Sequence, residues 1–351
     1  MSTLTSSAAA AAARTDRRPA RARKAVLRSA GLLGAAAVLV AVLVLSIGVG
    51  AKPLSPGEVW AGLVDEGAAT YSIVHEMRLP RTLLGLLAGV ALGLAGAVMQ
   101  AVTRNPLADP GLLGINAGAS AAVATGTLVF GVTSFAGYVW FALIGAAVVS
   151  ALAYAVGGGR SATPARLALA GAALNATLYS YVSAAMLLDS GSLERMRFWT
   201  VGSLADAQHT TVLRVLPFIA AGVVVALLLA PPLNALALGE DSAQALGARP
   251  ARIRTAAIVA VTLLCGAATA ACGPIVFVGL MMPHLVRPFT GPDMRWLLPY
   301  CALLAPVLLL VADVLGRVLA RPGELQVGIV TAVLGGPFFL YLVRRARMAR
   351  V

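Results

Sequence analysis

The sequence predicts an all-α protein that crosses a lipid bilayer about ten times. Three observations predict it. Hydrophobic residues make up 59% of the 351 and charged residues only 12%, with a mean hydropathy of +0.88, outside the range of ordinary water-soluble domains. Uncharged runs recur along the chain that are long enough, at about 1.5 Å per helical residue, to cross a hydrocarbon core of about 30 Å. In the run from Thr82 to Val102, Gly85, Gly89, Gly93 and Gly96 recur at spacings of four, four and three. That leaves one helix face almost bare, so a neighbouring backbone can approach closely.

Taken in order, residues 1–28 are rich in alanine and arginine without apolar periodicity and read as a disordered basic tail. The run from Ser29 to Gly50 follows seven basic residues. It exceeds a signal-peptide core of about 7–15 residues, so it reads as an uncleaved first span. Arg78 and Arg81, three apart, share a face if helical and open the second span, Thr82–Val102. Arg104-Asn105-Pro106 and Asp109-Pro110-Gly111 then form a turn cluster that breaks the helix. Further spans are read at Leu112–Phe130, Phe135–Val156, Leu167–Leu188, Val212–Ala230, Trp296–Leu315 and Gly328–Val343. The tract Thr255–Val286 is interrupted by Cys272-Gly273-Pro274. As one span it gives nine crossings, as two it gives ten.

Charge decides between them. The N-terminal tail and a C-terminal tail with Arg344, Arg345, Arg347 and Arg350 are both expected on the cytoplasmic side, which requires an even count. Ten crossings put 19 of 27 basic residues inside and 9 of 14 acidic residues outside. The piece from Ile275 to Val286 is then too short to span straight and is expected as a short or re-entrant helix buried within protein. The membrane domain covers 29–346.

A net charge of +13 would suggest nucleic acid in a soluble chain. Here the basic residues lie between apolar runs and at the tails, so topology explains them and no nucleic-acid partner is expected. Cys265, Cys272 and Cys301 lack CxxC spacing and read as small buried hydrophobes. His284 has no second ligand nearby, so no metal site and no cofactor are expected. The only lysines are Lys24 and Lys52 and no GxxxxGK[ST] occurs, so the chain cannot build a Walker-A phosphate cradle. With no catalytic grouping either, no enzyme activity is expected. Asp313 and Arg317 are spaced to pair at i and i+4. The segment Gly239-Glu240-Asp241-Ser242-Ala243-Gln244-Ala245-Leu246-Gly247 reads as a two-turn helix, acidic at its start and stopped by glycine.

Four stretches carry a family resemblance: RLPRTLLGLLAGVALGLAGAVMQAVTRNPLADPGLLGINAGA, GEDSAQALGA, CGPIVFVGLMMPHLVRPFTGPD and ADVLGRVLARPGELQVGIVTAVLGGPFFLYL. In this order and spacing the chain resembles the permease subunit of binding-protein-dependent ABC importers for ferric siderophores, cobalamin and haem. One departure is Glu324-Leu325-Gln326, where the family has Glu-Leu-Pro. The resemblance implies the ten-helix bundle of the cobalamin-importer permease, placed in the cytoplasmic membrane with both termini inside. It implies a second permease subunit, identical or homologous, two ATPase subunits that hydrolyse the ATP, and an extracytoplasmic substrate-binding protein. Gly239 to Gly247 would be the ATPase-coupling segment, and Arg78, Arg81 and Arg317 would dock the binding protein. Asn105 and Thr163 would lie near the inner constriction; Met99 and Gln100, at the end of the second span, are candidates to line the path, although packing is the better reading for both. Ferric siderophore is the expected cargo, with cobalamin or haem as the alternative. An ion-coupled secondary transporter is the rival of a different class, but it would require titratable residues near the midplane that the spans lack.

Overall fold

The computed structural model describes residues 3–132, 134–159, 163–188 and 199–348, and among them there is no strand. Met1, Ser2 and Arg350 lie outside the described residues. Helix α1 runs unbroken from Thr3 to Gly48, so the basic tail expected to be disordered is helical wherever it is described. Alanine and arginine are among the strongest helix formers, and the lack of an apolar face does not remove that propensity. Only Ala25–Gly48 is apolar enough to cross a membrane.

Helix α2, Pro56–Val64, was not foreseen, although its start is written in the sequence. Ser55 accepts from the backbone N–H of Glu58, the Glu58 carboxylate accepts from the N–H of Ser55, and Pro56 occupies the first turn. Those backbone bonds hold the Glu58 carboxyl below its ordinary range. One turn of π-helix, Ile73–Arg78, runs directly into α3, Leu79–Thr103. Arg104, at φ 48°, ends α3, and a 3-10 turn over Pro110–Leu113 leads into α4, Ile115–Phe130. The remaining helices are α5 (Phe135–Val156), α6 (Pro164–Leu188), α7 (His209–Leu228), α8 (Ala230–Ala237), α9 (Glu240–Ala245), α10 (Pro250–Cys272), α11 (Val278–Thr290), α12 (Met294–Leu319) and α13 (Val327–Met348).

Seven stretches, in α1, α3, α5, α7, α10, α12 and α13, are long and apolar enough to cross a membrane. Helices α4, α6 and α11 bring the pieces to the ten of the sequence reading. The 13 residues of α11 reach only about 20 Å. The chain between α10 and α11 is not helical, and main chain from Trp199 to Gly202 lies directly against it. Gly273 (φ 71°) ends α10, the Ser203 N–H donates to the Cys272 carbonyl at 2.8 Å, and the Gly328 N–H donates to Gly202 at 3.0 Å. Val278, Leu280, Met282 and Val286 of α11 are buried, which is the buried short helix expected after the Cys-Gly-Pro break.

Helix α3 is the centre of the bundle, packed by α12, α10, α11 and α7. In its most apolar window 78% of residues are buried, against 17% for α1 at the periphery. The bare glycine face explains the difference. A methyl group added at Gly89 would strike the Pro306 backbone of α12, and one at Gly96 would fall on the Gly279 carbonyl of α11. Backbone thus meets backbone, the arrangement glycine permits between membrane helices. Gly96→Val is expected to destabilise the protein by about 1–3 kcal/mol, seen as a lower midpoint for thermal loss of the monodisperse species in detergent. An unchanged midpoint would mean the two helices can separate at no cost.

Candidate functional site

Two groups of polar residues mark the two ends of α3. At its start, three arginines converge on the end of α1. The last carbonyls of a helix have no intrahelical partner and carry the negative end of its dipole. Arg78 donates through Nη1 to the carbonyls of Ile47 (2.8 Å) and Gly48 (2.7 Å) and through Nη2 to Lys52 (2.7 Å). Arg317 donates through Nη1 to Ser46 (2.9 Å) and Val49 (2.8 Å) and through Nη2 to the Ser46 hydroxyl (2.9 Å). Arg321 reaches the Gly50 carbonyl at 2.7 Å. Ser46 in turn pairs with Thr82 at 2.8 Å.

Asp313, fully buried, neutralises this cluster. It accepts from Arg317 at 2.7 Å, the expected i,i+4 pair, and from Arg81 at 2.8 Å. Arg81 also holds Glu324 at 2.6 Å. Arg78, Arg81 and Arg317 are 5%, 8% and 1% exposed, so the expected docking arginines are internally paired rather than freely presented. Glu324, with about a third of its side chain exposed, is the accessible member. Arg78, Arg81, Arg317 and Glu324 line a cavity of about 260 Å³ that also touches Gly50 and Ala205.

The other end is built around α9. Gly239 (φ 110°) admits the helix and Gly247 (φ 80°) closes it, while the Ala248 N–H returns to the Ala243 carbonyl at 2.9 Å. Ala243 is buried and Leu246 is 68% exposed, so the segment points an apolar tip outward. Glu240 forms an ion pair with the buried Arg254 of α10 and lies 4.0 Å from Arg104, the residue that ends α3. The six-residue helix is therefore tied to α10.

The four residues expected along the path divide. Met99 packs inside the core. Gln100 is buried and bridges helices, its Nε2 donating to Leu280 at 3.2 Å and its Oε1 accepting from Arg287 at 2.9 Å. Asn105 is exposed and folds back to accept from the Leu107 N–H at 2.9 Å. Thr163 is exposed at the head of α6, where its hydroxyl accepts from Arg166 N–H at 3.4 Å. His284 Nε2 donates to the Pro106 carbonyl at 2.7 Å, a tautomer the acceptor dictates. Among the described residues no group of three metal-binding side chains occurs. In the same turn Asp109 caps the 3-10 helix, accepting from the Gly111 N–H at 2.8 Å, and burial raises its carboxyl above the ordinary range.

Residues 38–345 match the model of the FecCD transport family. The chain belongs to that family. It is 47% identical over 327 residues to the ferric enterobactin transport system permease protein FepD of Escherichia coli K12, covering 92% of this chain and 97% of that one. Against the hemin transport system permease protein HmuU of Yersinia pestis it is 38% identical, covering 91% and 97%. A solved metal-chelate type ABC transporter in an inward-facing conformation superposes with a TM-score of 0.79 at 28% identity, over 90% of this chain and 99% of that one. The chain is thus a multi-pass membrane permease subunit of an ABC importer, and ATP is hydrolysed by a separate subunit.

Within that frame, sequence reasoning missed several participants, among them Glu324, Arg254 and Ser46. Glu324 and Arg81 are 243 residues apart and no local pattern joins them. Arg254 lies one helix beyond the acid it holds, so no spacing within a helix joins them. Ser46 gave no signal inside an apolar run.

Proposed function

We propose that this permease carries ferric siderophore complexes inward by alternating access, in an assembly with a second permease, two ATPase subunits and an extracytoplasmic binding protein. The observation that carries the reading is the separation of two unlike polar sites along one helix. Arg81 lies in the first turn of α3 and Arg104 just past its last, and the 25 residues of the helix measure about 38 Å. The cluster at one end faces the binding protein and the acid-started helix Glu240–Ala245 faces the ATPase, with both chain termini on the ATPase side. The 47% identity to a ferric enterobactin permease favours siderophore over haem or cobalamin.

At the outer end the accessible chemistry is the Arg81–Glu324 pair. A carboxylate offered by the binding protein competes with Glu324 for one edge of the Arg81 guanidinium, while Asp313 keeps the other. Glu324→Gln is therefore expected to tighten docking and steepen its salt dependence, because the incoming carboxylate no longer displaces a charge. Surface plasmon resonance at two ionic strengths reads this, and an unchanged Kd would remove Arg81 from the docking surface. At the inner end Gln100 and Asn105 act beside the constriction, Gln100 by holding α11 to α3. Thr163 and Met99 flank it as the head of α6 and as packing.

The test of the whole reading is uptake of radiolabelled ferric siderophore into a strain lacking the gene, with haem and cobalamin as competing cargo. ATP-dependent accumulation of iron that excess haem or cobalamin does not suppress is expected. Loss of uptake on collapsing the proton gradient, with ATP held high, would favour an ion-coupled carrier instead.

A further inference from the structure

A cavity of about 680 Å³ opens between α1 and the corner joining α11 to α12, away from both sites described above. Its walls are Val38 of α1, Phe289 of α11 and Leu304 of α12. Gly31 forms the floor, because a side chain there would collide with the Tyr300 hydroxyl, which donates to the Arg28 carbonyl at 2.7 Å. The rim is apolar and open, with Phe289 74% and Val38 48% exposed.

One end of the cavity is cationic. The Arg28 guanidinium lies 5.9 Å from the centre of the Trp296 ring and forms no ion pair among the described residues. No carboxylate lines the cavity. Arg28 sits one turn into the membrane-crossing stretch that begins at Ala25, with Trp296 and Tyr300 beside it. An arginine flanked by Trp and Tyr at the start of a span is the pattern of the headgroup level of a bilayer. A cation at the interface continuing into an open apolar trough matches one amphipathic occupant: a negatively charged head with a long hydrocarbon chain.

We propose that this cavity binds an anionic phospholipid, its phosphate on Arg28 and an acyl chain laid along Val38, Phe289 and Leu304. The charge argues for lipid over a second copy of the chain, because a second copy would bring its own Arg28 against this one if the contact were symmetric.

Native mass spectrometry of the full-length permease, released from detergent with phosphatidylglycerol or phosphatidylcholine added, tests the assignment. Wild type is expected to retain phosphatidylglycerol about fivefold more than phosphatidylcholine, the discrimination one arginine gives at an anionic surface. Arg28→Gln should abolish that preference and Arg28→Lys should keep most of it. Ala35→Phe, which fills the cavity, should remove retention of both lipids. Equal retention of the two lipids by wild type, or a preference that survives Arg28→Gln, would overturn the proposal. So would a protein dimer lost in Ala35→Phe while lipid retention stays unchanged. Should Ala35→Phe fail to elute as a folded species, the two Arg28 variants decide alone, since that side chain is partly exposed and supports no buried pair.

Discussion

Asp313→Ala is expected to cost about 3–5 kcal/mol, the loss that follows when one partner of a buried ion pair is removed. The carboxylate is fully buried and is shared by Arg81 and Arg317, so its loss leaves two guanidinium groups close together in a poorly solvated place. Arg317 cannot turn away to water, because it also holds the Ser46 and Val49 carbonyls. The end of α1 should therefore loosen together with the contact between α3 and α12. Thermal stability in detergent and protease sensitivity of the link between α1 and α2 read the two effects. Asp313→Asn keeps the shape and some hydrogen bonding and should fall between wild type and alanine. If alanine proves as stable as wild type, the cluster is not what fastens α1.

Replacing Glu240 to Leu246 with a glycine–serine linker of equal length should abolish transport while leaving the bundle folded. A helix this short is marginal by itself in water and persists because Gly239 and Gly247 set its ends and Glu240 is held by Arg254 and Arg104. The linker preserves loop length but removes the exposed Leu246 tip and the tie to α10. Cargo uptake is expected to drop to background, and the ATPase, if still bound, should no longer be stimulated by loaded binding protein. Glu240→Gln alone should cost much less, since its carboxylate is well exposed and such pairs give about 0–1 kcal/mol. Full coupling in the linker variant would place ATPase contact elsewhere.

Much of this architecture was legible in the sequence because its causes are local. Glycines at spacings of four and three announce a bare helix face, Cys-Gly-Pro announces a break inside an apolar tract, and the i,i+4 spacing of Asp313 and Arg317 announces a pair. Other features depend on partners that local pattern does not reveal. Arg78 bonds only to main-chain carbonyls, which every residue possesses, so nothing in α1 marks it as the acceptor. Arg81 meets Asp313 across 232 residues. An arginine at the end of a span reads as a contact for a partner until its donors are found already engaged. The helical start of α1 has a simpler cause: lack of an apolar face is evidence about packing, and alanine-rich chain coils into helix without needing to pack.

The contacts of Gly89 with Pro306 and of Gly96 with Gly279 set a limit on motion. Side chains can change rotamer to let two helices slip past each other, but main chain pressed on main chain has no such slack. Helices α3, α11 and α12 therefore travel as one block. Whatever rearrangement accompanies transport has then to be taken up at seams outside these two contacts.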